Sequence, residues 1–336
     1  TSWQNSAIAH IQLVKNSNRN HQINLQYEMP KISLDHIKRM TTKDGLIQFS
    51  AISSPNLNSG YTLDDNARAL IAVTKHYQLT HDDNDLSLIN TYLNFILFCQ
   101  QDDGYFLNYV DQFGNFTSNN IHENLEDANG RAIWALGEFI SFKEVVGKNR
   151  VKQAKFAIEK AVKHIALFHS PRAISFAIKG LYFFNNEKES LRINNLIISL
   201  ADNLVSKYRG ISDKKWNWFE DYLTYANSIL PEAMLFASLS TGSALYKKIA
   251  KTTFDFLLSL TFKDNQIKVI SNQGWYHRGK TVNEYGEQPI DVAYTILALQ
   301  TFYQVFEDVT YKVKMKIAFD WFLGKNHLQQ IVYNPQ

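Results

Sequence analysis

The stretch ENLEDANGRAIWALGEF, residues 123–139, joins a group of acidic and amide residues to an apolar helix. Its apolar residues recur at helical spacing, and that spacing continues along almost the whole chain, whereas alternating runs typical of strands are scarce. The sequence therefore predicts an all-α fold. The predicted helices cover 32–40, 63–79, 85–101, 127–146, 150–168, 171–184, 189–208, 231–240, 243–261, 289–306 and 309–324.

The predicted helices follow one another in pairs, which indicates about six helical hairpins. If these hairpins close into a ring, an (α/α)6 toroid, the helices of the inner layer run parallel and their N-termini meet at one end. The candidates for the inner layer begin near residues 63, 127, 231 and 289, and each has acidic or amide residues at its start. We therefore expect one end of the toroid to be lined with carboxylates.

Composition favours a single domain over residues 1–336. The chain is 45% hydrophobic, and its 6 Pro and 14 Gly form no linker-like stretch. The net charge of +3, with both signs mixed along the sequence, provides no field that would attract nucleic acid. The oligomeric state stays open.

Cysteine content and hydropathy bear on the compartment. The single cysteine, Cys99, lies in the apolar run YLNFILFC, which favours a buried structural thiol. No apolar run approaches the roughly 18 residues of a membrane span, so membrane insertion is not expected. We expect a cytoplasmic protein, with a periplasmic one as the alternative if a signal peptide was removed before Thr1.

Several helix starts carry recognisable signals. Thr62 with Asp65, and Asn124 with Asp127, have the spacing of a capping box, with Asp in place of Glu or Gln. Proline is expected at the first helical position of three helices, at Pro171, Pro231 and Pro289.

The first acidic motif, YTLDDNARAL at residues 61–70, carries Asp64, Asp65, Asn66 and Arg68. Helix capping by Asp65 would explain part of it. The two aspartates point in different directions, however, so one can cap the helix while the other faces the cavity. We therefore count Asp65 as a candidate catalytic residue and the other three as candidate substrate ligands.

The second acidic motif is the stretch at residues 123–139. Asp127 is a candidate catalytic residue there, with Glu126 and Arg131 as candidate substrate ligands. A capped helix with a buried Arg–carboxylate pair is the structural alternative. Gly130, next to the arginine, would permit close helix packing.

The third motif, WNWFEDYLTYANSILPEA at residues 216–233, is rich in aromatic residues. Aromatic faces stack on sugar C–H surfaces, while carboxylates and amides bind hydroxyl groups. Trp218 and Tyr222 are candidate substrate ligands, and Glu220 and Asp221 are candidate catalytic carboxyls.

The fourth motif, GWYHRGKTVNEYGEQPIDVAYTILAL at residues 274–299, completes the set. A position in the first turn of a helix would by itself explain Asp291. The candidate substrate ligands in this motif are Trp275, Tyr276, Arg278, Gln288 and Asp291.

Motifs that are absent narrow the chemistry. The sequence has no phosphate-binding loop, Rossmann fingerprint, HExxH, Cys/His zinc pattern or GxSxG elbow, so no cofactor and no metal are predicted. Carboxylates with aromatics are typical of glycoside hydrolysis. Asp65 or Asp127 is the expected base, because helix N-termini lower carboxyl pKa values. Glu220 or Asp221 is the expected acid, because the aromatic loop supplies apolar surroundings, and an inverting course is preferred.

These four motifs resemble a bacterial family of (α/α)6-toroid proteins, within the six-hairpin glycosidase superfamily, often encoded beside glycosyltransferases and mannoside phosphorylases. The similarity covers about residues 60–326. It implies a toroid with a carbohydrate ligand. Family members continue beyond the equivalent of residues 332–336 with a glycine-rich segment and a last helix that carries a site glutamate, so the ring is expected to lack that helix here.

Two alternatives to the glycosidase stay open. One is a non-catalytic carbohydrate-binding or scaffold protein in glycan assembly, which needs no tuned acid. The other is a sugar epimerase or isomerase, or a polysaccharide lyase. An epimerase normally requires a pair of histidines at the cavity. The ten His of this chain lie mostly outside the four motifs, with His122 and His277 as the exceptions.

Overall fold

The computed structural model describes residues 31–187 and 189–326. From Ser33 onward these residues belong to one compact unit. The helices are α1 Asp35–Met40, α2 Leu63–Thr80, α3 Asn84–Cys99, α4 Asn119–His122, α5 Glu126–Ser141, α6 Lys143–Val146, α7 Lys148–Ile165, α8 Pro171–Glu187, α9 Leu191–Ile211, α10 Ile229–Thr241, α11 Ala244–Thr261, α12 Pro289–Phe306 and α13 Val309–Phe322.

The strands are two residues long and lie between helices in antiparallel pairs. They are β1 Ser50–Ala51 with β2 Ser54–Pro55, β3 Tyr61–Thr62 with β4 Tyr109–Val110, β5 Tyr222–Leu223 with β8 Tyr276–His277, and β6 Phe262–Lys263 with β7 Gln266–Ile267. The β5–β8 pair matters for function, because it joins the third sequence motif to the fourth.

Burial separates inner from outer helices. Helix α5 is buried at every position from Ala128 to Ile140, α8 from Arg172 to Leu181, and α10 from Ile229 to Ser238. A helix that is buried on all sides belongs to the inner layer. Helix α7 buries one face only and is amphipathic, as expected of an outer helix, with buried residues Val151, Ala154, Ala157, Ile158, Ala161 and Ile165.

The inner helices pack in chain order. Helix α2 contacts α5, α5 contacts α8, α8 contacts α10, and α10 contacts α12. Helices α2, α8, α10 and α12 also pack against the helix that follows each of them. The expected inner layer is therefore confirmed and gains one member, α8, which the sequence analysis had not assigned to it.

Glycines allow the closest approach in the inner layer, between α5 and α8. A Cβ on Gly137 would lie 2.1 Å from the carbonyl oxygen of Gly180, and one on Gly180 would lie 2.2 Å from that of Ile133. At Gly130 the added Cβ would lie 2.6 Å from the carbonyl oxygen of Ala173, so the close packing expected there is confirmed. Such contacts leave no room for any side chain.

Most predicted helix starts are confirmed. The Thr62 hydroxyl accepts from the backbone N–H of Asp65 at 3.2 Å and donates to its carboxylate at 2.6 Å. Pro171 and Pro289 each occupy the first helical position. Cys99 is buried, as expected, and burial raises the pKa of its thiol.

Two predicted starts and one predicted helix were wrong. Helix α10 begins at Ile229 rather than Pro231, because the preceding turn runs directly into the helix. Helix α5 begins at Glu126, and Asn124 accepts from the backbone N–H of that residue instead of forming a box with Asp127. The helix predicted over 127–146 is split into α5 and α6 at Phe142, whose backbone leaves the helical conformation.

Candidate functional site

The starts of the inner helices meet at one end of the molecule. Arg131, in the second turn of α5, contacts Asp64 in the first turn of α2, and its Nε donates to the hydroxyl of Tyr294 in the second turn of α12 at 3.3 Å. The guanidinium group also lies 4.5 Å from the ring centre of Phe176 in α8. Four helices thus converge at one buried arginine.

Asp64 is held in its ionised form. Burial opposes ionisation, but the charges and hydrogen bonds of Arg131 and Arg68 outweigh it and lower the pKa of the Asp64 carboxyl below its usual range. Arg68 contacts the second oxygen of Asp64 at 3.1 Å. Because the Asp64 side chain keeps 23% of its surface exposed, this carboxylate can meet a ligand.

The neighbours of Asp64 have structural partners. Asp65 accepts from Thr62 and pairs with Arg68 at 2.5 Å, so both of its oxygens serve the start of α2. Asn66 is fully buried; it accepts from the backbone N–H of Leu46 at 2.8 Å and donates to the carbonyl of Thr62 at 2.8 Å. The structure thus places Asn66 in the packing rather than at a cavity surface.

Asp127 faces the same end from the first turn of α5. One of its oxygens accepts from the Ser170 hydroxyl at 2.6 Å, and the other accepts from the hydroxyl of Tyr225. Glu126 turns away and accepts from the backbone N–H groups of His169 and Ser170 at 2.8 and 2.7 Å. The carboxylate of Glu126 therefore holds the segment before α8, whereas Asp127 holds Tyr225.

Arg172, in the first turn of α8, links the cluster to the third motif. Its Nε donates to the carbonyl of Tyr225 at 2.8 Å, and its Nη1 contacts Glu220 at 2.9 Å. The guanidinium group is 5.3 Å from the ring centre of Tyr225. Glu220 is therefore ion-paired with Arg172.

Asp291 has the opposite character to Asp64. It lies in the first turn of α12, is 4% exposed, and accepts from the backbone N–H of Ala226 at 2.5 Å through Oδ1. Its Oδ2 is buried and has no hydrogen-bond partner within the described chain. Burial raises the pKa of the Asp291 carboxyl to about 7, against the lowering effect of the Ala226 N–H and of Arg172.

The aromatic candidates divide between core and cluster. Trp218 is fully buried and packs against Phe219, with ring centres 5.4 Å apart, so the predicted stacking on a sugar has no surface at this residue. Trp275 is half-buried, with its ring centre 6.5 Å from that of Tyr225. Tyr276 packs edge-on against Trp216 at 5.5 Å. Trp275 and Tyr225 are thus the aromatic pair that borders the cluster.

The remaining candidates lie at its edge or outside it. Asp221 is 63% exposed in its side chain and 3.5 Å from Arg278, so the apolar surroundings expected of an acid are absent there. Arg278 donates to the carbonyl of Ile211 at 3.0 Å and also contacts Asp213. Tyr222 is 37% exposed, and Gln288 is the half-buried residue that precedes α12.

Sequence reasoning missed several residues of the cluster, among them Arg172, Tyr225 and Tyr294. Arg172 had a detectable signal, since a cation in the first turn of a helix opposes the helix dipole and needs a compensating partner. Tyr294 had none, because its position in α12 reads as ordinary apolar spacing. Its role depends on which side of α12 faces Arg131.

The cluster offers acids, cations and aromatics but no metal centre. Within residues 31–187 and 189–326, no group of three or more His, Cys, Asp or Glu side chains is placed to hold a metal ion. Over the same residues, no helix has the length and apolarity needed to cross a membrane.

Comparisons with known proteins bear on the fold. No protein-family model and no curated protein matches the sequence. Similar solved structures include a cellobiose 2-epimerase from Bacillus thermoamylovorans B4167, with a TM-score of 0.67 and 12% identity over 86% of this chain and 83% of that one. A D-mannose isomerase has a TM-score of 0.64 and 12% identity, over 86% and 85% of the two chains.

A third similar structure is a GH76 α-mannanase of Bacteroides thetaiotaomicron, with a TM-score of 0.59 and 14% identity over 86% of this chain and 81% of that one. These matches confirm the predicted (α/α)6 toroid. At such low identities the likeness establishes the fold alone.

Proposed function

We propose that the protein is a carbohydrate-active enzyme that hydrolyses glycosidic bonds at the N-terminal end of its inner helices. The observation that carries this proposal is that two carboxyl groups of one cluster have opposite surroundings: Asp64 is partly exposed and contacts two arginines, whereas Asp291 is buried and one of its oxygens has no hydrogen-bond partner in the described chain. The pKa of Asp64 is lowered and that of Asp291 is raised to about 7. Carboxyls whose environments drive their pKa values apart suit the carboxylate and acid roles of glycoside hydrolysis.

Asp64 takes the carboxylate role in this proposal. It stays ionised beside Arg131 and Arg68 and is partly exposed, so it can oppose the positive charge that develops on the sugar ring. It acts either on a water molecule or directly on the sugar. Asp127 is the second carboxylate of the cluster and positions the Tyr225 hydroxyl.

Asp291 takes the acid role. A carboxyl with a pKa near 7 is protonated in a large fraction of molecules at neutral pH and can protonate a leaving oxygen. Its Oδ2 is buried, so in this proposal the turn at Ala226, whose backbone is left-handed with φ of 52°, has to move when substrate binds.

The aromatic pair supports a sugar as the substrate. Tyr225 and Trp275 are half-buried and border the carboxylates, an arrangement that lets aromatic faces meet C–H surfaces while charged groups bind hydroxyls. The names of the similar structures, a cellobiose epimerase, a mannose isomerase and an α-mannanase, point to the same class of ligand.

The decisive test incubates wild type and Asp291→Asn with a glycan panel and measures product release and binding in the same samples. The asparagine keeps the shape and an acceptor for the Ala226 N–H but cannot protonate a leaving group. We expect turnover to fall by about 10²- to 10⁴-fold with binding retained. An aryl glycoside with a good leaving group, which needs no acid, should lose much less.

Asp221→Asn is the matched control, because it removes an exposed carboxyl from the third motif, next to β5, and leaves the residues of the cluster unchanged. Equal turnover in wild type and Asp291→Asn would contradict the acid role. Loss of turnover in Asp221→Asn would instead indicate that the catalytic site lies at the exposed surface around Asp221.

Non-catalytic carbohydrate binding is the second candidate. The observation that favours it is that the carboxylates of the cluster already have partners. Asp64 and Glu220 contact arginines, and Asp127 accepts hydrogen bonds from hydroxyl groups. Binding of a glycan without release by wild type or by Asp291→Asn would select this candidate. Epimerase chemistry is less supported, because the described contacts of the cluster include no histidine ring.

A further inference from the structure

A second cavity lies at the opposite end of the inner layer. It has a volume of about 430 Å³ and is lined by residues of α2, α5, α8, α10 and α12. Apart from Glu232, which lies in the first turn of α10, these residues come from the middle and C-terminal parts of the helices, such as Lys75 of α2 and Gln304 of α12. The cluster around Arg131 uses the first two turns of α2, α5, α8 and α12, so the two sites occupy opposite ends of these helices.

A layer of aromatic rings separates the two ends. Trp134 stacks on Phe176, with ring centres 5.7 Å apart, and contacts Tyr294 at 5.9 Å. Phe176 and Tyr294 are also in contact, at 6.0 Å. Trp134 and Lys179 line the second cavity, whereas Phe176 and Tyr294 contact Arg131 on the other side.

The wall of this cavity contains a buried ion pair. Lys179 and Glu232 are each 2% exposed, and Nζ of Lys179 lies 2.6 Å from Oε2 of Glu232. Thr301 donates to the other carboxylate oxygen at 2.8 Å, and Nζ lies 4.1 Å from the ring centre of Trp134. Buried charges that are fully paired leave the wall polar yet neutral.

Two amide side chains also line the cavity. Gln300 and Gln304 line it with exposed side chains, and no partner for their amides is found among residues 31–187 and 189–326. Aromatic rings, among them Tyr182 and Phe236, complete the wall.

We propose that this cavity is a second ligand site, which binds an uncharged mono- or disaccharide. Its volume falls within the range of small-molecule pockets. Paired charges disfavour a charged ligand, the exposed amides of Gln300 and Gln304 can bind hydroxyl groups, and aromatic rings match sugar C–H faces. The site is independent of the proposed hydrolytic cluster, since the two share no residue.

Calorimetric titration of the full chain tests this site. The probes are methyl glucoside, methyl mannoside, maltose and cellobiose, with glucuronate and glucosamine as charged counterparts. Leu239→Trp fills the mouth of the cavity from α10, where Leu239 is 44% exposed. Leu245→Trp is the matched control, because Leu245 is 41% exposed on α11 and lies outside the cavity lining.

We expect at least one neutral sugar to bind wild type and Leu245→Trp equally and to lose one binding event in Leu239→Trp. Leu239→Trp should leave any turnover at the other end unchanged.

The proposal is overturned if no neutral sugar shows binding that Leu239→Trp removes, or if the charged counterparts bind the cavity as well as the neutral sugars. These outcomes are separate from those of the hydrolysis test, which depends on Asp291 and product release.

Discussion

The two ends of the toroid use the same kinds of residue in different settings. At the N-terminal end, Arg131 pairs with Asp64, whose side chain is 23% exposed. At the other end, Lys179 pairs with Glu232, and both side chains are 3% exposed. An ion pair open to solvent can exchange a partner for a ligand, whereas a fully buried one mainly has to stay intact. The difference in exposure thus suits the Arg131–Asp64 pair to ligand binding and the Lys179–Glu232 pair to a structural role in the cavity wall.

Lys179→Met should have the largest effect on stability. It leaves Glu232 charged and uncompensated in the interior, so we expect the free energy of unfolding to fall by about 3–5 kcal/mol. Chemical denaturation measures this loss. The double variant Lys179→Met/Glu232→Leu should recover much of it, and a small loss in the single variant would contradict full burial of the pair.

Asp64→Asn should cost less, about 1–3 kcal/mol, although it removes two contacts with arginines. Solvent can reach this end, Arg68 keeps Asp65, and Arg131 keeps Tyr294 and its ring contacts. The same denaturation experiment compares it with Lys179→Met. A loss as large as that of Lys179→Met would show that exposure does not distinguish the two pairs.

Asp291 should appear in the pH dependence of stability. Its folded pKa of about 7 lies above the usual value of about 3.9 for an unfolded aspartate. The folded state therefore binds a proton that the unfolded state lacks, and its contribution to stability is lost as pH rises from about 4 to about 7. Asp291→Asn lacks this loss, so its stability relative to wild type should rise between about pH 4 and about pH 7 and then stay constant. Parallel curves for both proteins over that interval would contradict the raised pKa.

Asp221→Asn should have the smallest effect. Its carboxylate is 63% exposed and meets Arg278 at 3.5 Å, and exposed ion pairs contribute little. We expect a change within about 0.5 kcal/mol. A larger change in the denaturation midpoint would assign this pair a structural role that its exposure does not support.

The candidate site was partly predictable. Asp64, Asp127 and Arg131 follow recognisable helix starts, and parallel inner helices bring such starts together, so the sequence placed them at one end. Arg172 was missed, since its partner Glu220 lies 48 residues away in the chain. Trp218 was misjudged, because an aromatic residue in a loop can enter the core, and its burial depends on neighbours such as Phe256.

The sequence by itself determined the helices, because apolar spacing and helix starts are local properties of a few consecutive residues. It also determined that acidic residues would gather at one end. Only the tertiary structure decided which carboxyl has a lowered pKa and which has a raised one. Asp64 and Asp291 both lie in first turns, yet Asp64 contacts two guanidinium groups, whereas Asp291 is buried and one of its oxygens has no hydrogen-bond partner in the described chain. Solvation and long-range charge set that difference, and both depend on residues that are distant in the chain.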